Sequence, residues 1–443
     1  MRYFSGRLRW LVYVATGFAV LFACFVYDTR REPTSERQLR NAGIAFTIQE
    51  LKARYTSEPK QDNGAFLYLR AMGKIKNLDH AGFVQLPIAG DLIYEYGQVL
   101  TREQQDALHA YVVLNDAVIA LILEAQTRPF SRFPESRYDS FEMNHLAHSR
   151  DFGRLLACAA LDAALSDDIT TMDQMIVAGL RLPEVFSEGG LLIDALVANA
   201  IRSIAISSVE NCLYFVTPPQ ETVRTWLDIL GQDQYTTLHM QQDAFRNETT
   251  YYHRYFAADD FLGKHHGYEG INIAAEWTQY NYFSYNQYIQ VMSAIINAAD
   301  KDFYAAATMS ENDILSKDIL NSPRYALNAI ELPALTRVYS SLIRNIAQAS
   351  TIRAALASLL YLDYYGKMPD RLEDLTSGWL PVPPRDPFTP DDILRYHLTD
   401  TQAVFYSIGP DEQDNDGEEP EESILQGGDI IFRVPLTKPD NNV

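Results

Sequence analysis

Cysteine is scarce in this chain. Only Cys24, Cys158 and Cys212 occur in 443 residues. There is no CxxC and no zinc-ligand spacing, so a disulfide-stapled miniprotein and a zinc module are excluded. Basic residues are also few: 37 Lys and Arg stand against 58 Asp and Glu, a net charge of −21. A surface that acidic repels phosphate backbones and anionic lipid faces, which argues against nucleic acid as a partner. The catalytic signatures GxSxG, P-loop, HExxH and GxGxxG are missing from any usable context. No strict 34-residue period marks a repeat array. What the chain does have is apolar material, 47% against 21% charged residues, enough for a sizeable core and two to four domains.

One apolar run stands apart. Trp10 to Tyr27, WLVYVATGFAVLFACFVY, carries no charge. As a helix it spans roughly 27 Å, close to the hydrocarbon thickness of a bilayer. Arg2, Arg7 and Arg9 precede it and Arg30 and Arg31 follow it. The spacing predicts a signal anchor over residues 1–30, a single-pass inner-membrane helix with the bulk of the chain outside the cytoplasm. Lipidation at Cys24, in a loose Leu21-Phe22-Ala23-Cys24 box, and a cleaved signal peptide are the alternatives, in that order.

From about residue 40 to 363 the apolar period is helical. Thr101-Arg-Glu-Gln104 reads as a capping box opening a helix through Leu108, Val112, Asn115, Val118 and Ile122 that Pro129 stops. Further helices are expected over 144–165, over 191–214, from Gln220 after Thr217-Pro-Pro, and from Pro333 to about Tyr364. Hairpin-sized helices on short loops predict a mainly α body, a bundle or solenoid-like array over residues 40–335.

Within the body, Tyr251 to Tyr288 is rich in Tyr, Phe and Trp, either a stacking platform for sugars or peptides or the paving of a helix seam. His145 and His148 share a helical face, and His265-His266 are adjacent, but neither pair has a third ligand in sequence. Asp259-Asp260 are a carboxylate pair of undefined separation.

After Tyr364 the texture changes. Gly366, Pro369, Pro381, Pro383, Pro384, Pro387 and Pro390 read as a turn-rich linker. Three strand-like runs follow, Ile393–His397, Ala403–Ser407 and Asp429–Val434, which predict a small α+β tail over 336–443 with antiparallel strands. Between the last two runs, residues 409–429 hold nine acids and no Lys or Arg. Asp411, Asp414 and Asp416 with Gly417 make an oxygen-rich turn able to hold Ca²⁺, although the spacing is not that of an EF-hand. The other reading is a solvated charge run.

The ordered set Tyr365-Gly-Lys-Met-Pro369, Leu372–Leu375, Leu380 to Phe388 with its Asp386-Pro387-Phe388, Arg395-Tyr396, Phe405-Tyr406-Ser407-Ile-Gly409-Pro-Asp411 and Gly428-Asp429-Ile430 resembles the C-terminal part of type II secretion major pseudopilins, over about 80 residues. The resemblance implies a helix packed on a small antiparallel sheet and a calcium loop. Asp411 and Asp429 would then be side-chain ligands, Asp414 or Asp416 a further one, and backbone carbonyls near Ser407 contributors. This chain departs from the pattern in a longer loop, with Glu418, Glu419, Glu421 and Glu422, and in an N-terminus without the Gly-Phe-x-x-x-Glu processing signature. The helical part, with Asp62-Asn63-Gly-Ala-Phe-Leu-Tyr68 and Arg132-Phe-Pro134, is similar to uncharacterised bacterial envelope proteins that carry the same module. The expected function is a membrane-anchored extracytoplasmic scaffold with a calcium-binding tail, its partners envelope or secretion proteins. The alternative is an envelope enzyme acting on a glycan or peptide in an aromatic cleft.

Overall fold

The computed structural model describes residues 40–45, 47–54, 62–133, 144–257, 326–418 and 428–437, with short pieces between 288 and 296. The apolar run at residues 10–27 lies outside them, as do His265-His266, Asp259-Asp260 and most of the aromatic stretch. The chain is mainly helical with a small antiparallel sheet, as the sequence pattern predicts.

The short helices α1 (Ile48–Arg54), α2 (Ala65–Met72) and α3 (His80–Gln85) lead into α4 (Arg102–Leu114) and α5 (Asp116–Gln126). The capping box forms: the Thr101 hydroxyl accepts from the Gln104 amide at 3.3 Å, and the Gln104 side chain accepts from the Thr101 amide at 2.9 Å. The single helix expected beyond Thr101 is in fact two, bent by 58° at Asn115. Asn115 is fully buried, and its amide bonds Lys76 N–H, Lys76 C=O and Tyr111 C=O at 2.9–3.0 Å. Those bonds replace helix bonds at the break.

Three helices form the centre of the body: α6 (Ser149–Leu165), α7 (Ile169–Ser187) and α8 (Leu192–Phe215), mutually packed. α6 buries Phe152, Leu155, Leu156, Ala159 and Ala163, with Ala157, Cys158, Ala160 and Leu161 buried as well. Tyr68, Phe152, Phe186 and Phe133 interlock here with ring centroids 5.4–6.1 Å apart. α8 is long and apolar enough to cross a membrane, but 61% of its most apolar window is buried against the protein. Two long helices follow, α9 (Gln220–Ala257) and α10 (Ala326–Tyr365), packed on each other. α10 also packs on α8 and then on the sheet.

The proline-rich segment is more ordered than a linker. It holds a turn at Leu372–Ser377 and a two-stranded hairpin, β1 (Arg385–Asp386) with β2 (Thr389–Ile393). The three expected strands are β3 (Arg395–Leu398), β4 (Gln402–Ser407) and β5 (Ile430–Pro435), in the antiparallel order β3-β4-β5. Phe405 pairs with Tyr396 on one side and Phe432 on the other. One apolar cluster runs from the body through Ile352, Leu356 and Leu360 of α10 to Phe405, Phe432 and Val434. The tail therefore shares a core with the body. A polar latch closes the join: Glu210 of α8 accepts from the Arg433 backbone amide at 2.7 Å and lies 3.5 Å from its guanidinium, which stands 5.2 Å from the Tyr96 ring.

Candidate functional site: the acidic turn on the sheet

Alternation along β4 sets up the site. Ala403 and Phe405 belong to the shared core, so Val404 and Tyr406 face the other way. The acidic turn lies over that outer face: a side chain placed at Gly417 would meet Val404 at 2.9 Å, Tyr406 at 3.1 Å and His397 at 3.4 Å. Gly417 has φ +74°, so glycine answers both the conformation and the space.

The turn's root is pinned by a residue whose role the sequence did not disclose. Asp386 is fully buried, and its carboxylate accepts from Phe388 N–H at 3.0 Å, Ser407 Oγ at 2.8 Å and Ile408 N–H at 3.0 Å. Ser407 Oγ in turn accepts from Gly409 N–H at 3.2 Å. Ser407 is fully buried and pairs with Ile430 across the sheet, and its hydroxyl is committed to holding the root. At Gly409, φ is +70° and an added Cβ would lie 2.0 Å from the Gly428 carbonyl oxygen. The two ends of the acidic segment touch at this neck.

The aspartates divide the remaining work. Asp411 bridges the neck, accepting from Gly428 N–H at 2.9 Å and from Gln413 N–H at 3.2 Å. Asp414 accepts from the Tyr406 hydroxyl at 3.1 Å and from Asp416 N–H at 3.0 Å, and lies 3.5 Å from Arg395 Nε. Asp429 is buried and takes the amides of Gly417 at 2.7 Å and Asn415 at 3.2 Å. Asp416 is exposed with φ +58°. Glu419, Glu421 and Glu422 lie outside the described residues.

The electrostatics of the turn centre on Asp429 and Tyr406. Burial raises the Asp429 pKa, and the charges of Asp414 and Asp411 add to the rise, while the Gly417 and Asn415 amides oppose it. Burial also raises the Tyr406 phenol, with Asp414, Asp416 and Asp429 adding. The donor chemistry suits calcium: oxygen only, several carboxylates, one of them buried. Each carboxylate holding an amide keeps lone pairs to spare. Among the described residues no three carboxylate, imidazole or thiol groups stand close enough to share one metal ion. The turn thus offers the right donors without presenting a closed cage.

The other candidates separate. His145 pairs with Asp194 at 2.5 Å in the interior, whereas His148 pairs with Asp151 at 3.0 Å on the surface, so the two histidines do not share a ligand position. Cys158 and Cys212 are free and buried. Burial raises both thiols to about 12, so neither is a ready nucleophile. Tyr251 and Tyr288, at the ends of the aromatic stretch, are buried.

The fold and this site define a mainly helical protein with a small antiparallel sheet capped by an acidic turn. No known family, characterised protein or solved structure matches the chain.

Proposed function

We propose that the chain is an extracytoplasmic scaffold, anchored by its apolar N-terminal run, whose pseudopilin-like tail binds calcium. One observation carries the calcium reading. The buried Asp429 shares with Asp411 and Asp414 a turn fixed at both ends, and burial first, then the charges of Asp414 and Asp411, raise its pKa. A divalent cation relieves that repulsion. Asp411, Asp414 and Asp429 would hold it, with Asp416 and backbone carbonyls near Ser407 as further oxygens. The scaffold reading rests on the helical body sharing one core with the tail. Envelope or secretion proteins are the partners it implies.

The test is hydrogen exchange and thermal unfolding of the full chain in detergent, with EDTA or with millimolar calcium, beside an Asp411→Ala/Asp429→Ala variant. Calcium at a hundredfold excess over Kd stabilises the form that binds it by about 2.7 kcal/mol. Protection of residues 403–418 and 428–435 should rise in the parent and not in the variant. Equal traces with and without calcium would sink the ion site.

A further inference from the structure

The end of α10 carries an aromatic knob that the acidic turn does not use. Trp379 stands 5.1, 6.0 and 5.8 Å by ring centroid from Tyr361, Tyr364 and Tyr365. Tyr365 lies 4.5 Å from Tyr361 and 4.8 Å from Tyr364. The rings cross at angles of 45–81°, so they pack by their edges. Tyr361 is buried, but Tyr364 is 72% and Tyr365 52% exposed. Adjacent exposed aromatic rings are a feature of contact surfaces more than of solvated ones.

The charge around the knob selects what fits. α10 ends at Tyr365, so its last carbonyls give this end a partial negative charge. Asp363, Asp370 and Glu373 are exposed and Asp374 is half-buried, while the bases in the same stretch are Lys367 and Arg371. Lys367 shows the chemistry on a small scale. Its ammonium pairs with Asp370 at 2.7 Å, and Asp370 first, then Tyr361 and Asp374, favour its charged form. The whole chain carries −21, which opposes both a second copy and an anionic bilayer on this face.

We propose that the knob docks a basic segment of another polypeptide. Arginine or lysine heads would stack on the exposed faces of Tyr364 and Tyr365, with the neighbouring carboxylates as a polar rim. This inference does not depend on the calcium reading, since no residue of the acidic turn enters it.

The probe is a fluorescein-labelled hexa-arginine peptide, titrated by anisotropy into the full chain in detergent with EDTA at 0.15 M salt. A hexa-citrulline peptide of the same shape is the neutral control. A Tyr364→Ala/Tyr365→Ala variant should bind hexa-arginine about tenfold more weakly, and a Tyr364→Phe/Tyr365→Phe variant should bind like the parent, because the ring face is the contact. Both substitutions sit at exposed positions, and circular dichroism checks that the helices persist. Any of five results would overturn the proposal: no binding; equal binding by the alanine variant, which would place the peptide on the acidic surface at large; equal binding of hexa-citrulline; self-association of the parent that the alanine variant loses; or binding to phosphatidylcholine vesicles that the alanine variant loses.

Discussion

Replacing Asp386 with alanine tests whether the root of the acidic turn is built as described. The carboxylate is fully buried and receives two backbone amides and one hydroxyl, at 2.8–3.0 Å. Truncation leaves the buried Ile408 amide and the part-buried Phe388 amide without this acceptor. Each orphaned buried donor costs about 1–3 kcal/mol. The Ser407 hydroxyl can rotate and still serves Gly409, so it adds less. The buried Ile408 amide at the middle of that range and the part-buried Phe388 amide at its lower end give about 3 kcal/mol, or on the order of a hundredfold in local opening. Native-state hydrogen exchange should show that acceleration at Tyr406–Gly409, with the α6–α7 centre unchanged. A Ser407→Ala change should cost more in the parent, where it loses bonds to both Asp386 and the Gly409 amide, than after Asp386→Ala, where only the Gly409 bond remains to be lost. Acceleration below tenfold, or full additivity of the two changes, would refute the reasoning.

Glu210→Ala removes the acceptor of the Arg433 amide and a partner of its guanidinium, at side-chain exposures of 12% and 14%. It should weaken β5 protection by about 2–4 kcal/mol, read by exchange at 430–435. Asn115→Ala deletes three hydrogen bonds from a buried site and should lower the urea midpoint, by about 2–3 kcal/mol in stability. The Asp429 pKa is raised in the folded chain, so its contribution to stability is fully present below the unfolded value of about 3.9 and is lost as pH rises through the folded value. In EDTA the tail should therefore lose protection as pH leaves the acid range, and Asp429→Asn should flatten that part of the profile.

Much of the framework could be read from the pattern of residues. β4 and β5 lie within one residue of their expected bounds, because period-2 alternation and a core-facing side leave little freedom in register. The Thr101 capping box is a local device and formed as read. The bend at Asn115 was hidden because the apolar period continues through it; the one signal was an Asn on a buried face. The β1–β2 hairpin was hidden by proline. Pro387 occupies its turn and Pro390 lies in a two-stranded sheet, where every strand is an edge and a missing N–H is tolerated. In the acidic turn, the density of oxygen between two strands was visible. Which amide each aspartate takes was not, since Asp411 and Gly428, or Asp429 and Gly417, meet only once the neck closes. Asp386 stands before Pro387, but two of its three partners lie 21 and 22 residues further on.

The position of β5 ties the turn to the body. It begins at Ile430, beside the buried Asp429, and Arg433, four residues after Asp429, is latched to Glu210 of α8. An extended strand covers that interval in roughly 13 Å, with no slack loop between. Val434 and Phe432 meanwhile pack in the core that α10 shares with the helices. A loosely tethered tail would let the acidic turn rearrange without consequence for the rest of the chain. Here the strand that follows Asp429 is held along one edge by β4, on one face by the shared core and at Arg433 by α8. Any change at Asp429 therefore acts on an element already coupled to the body.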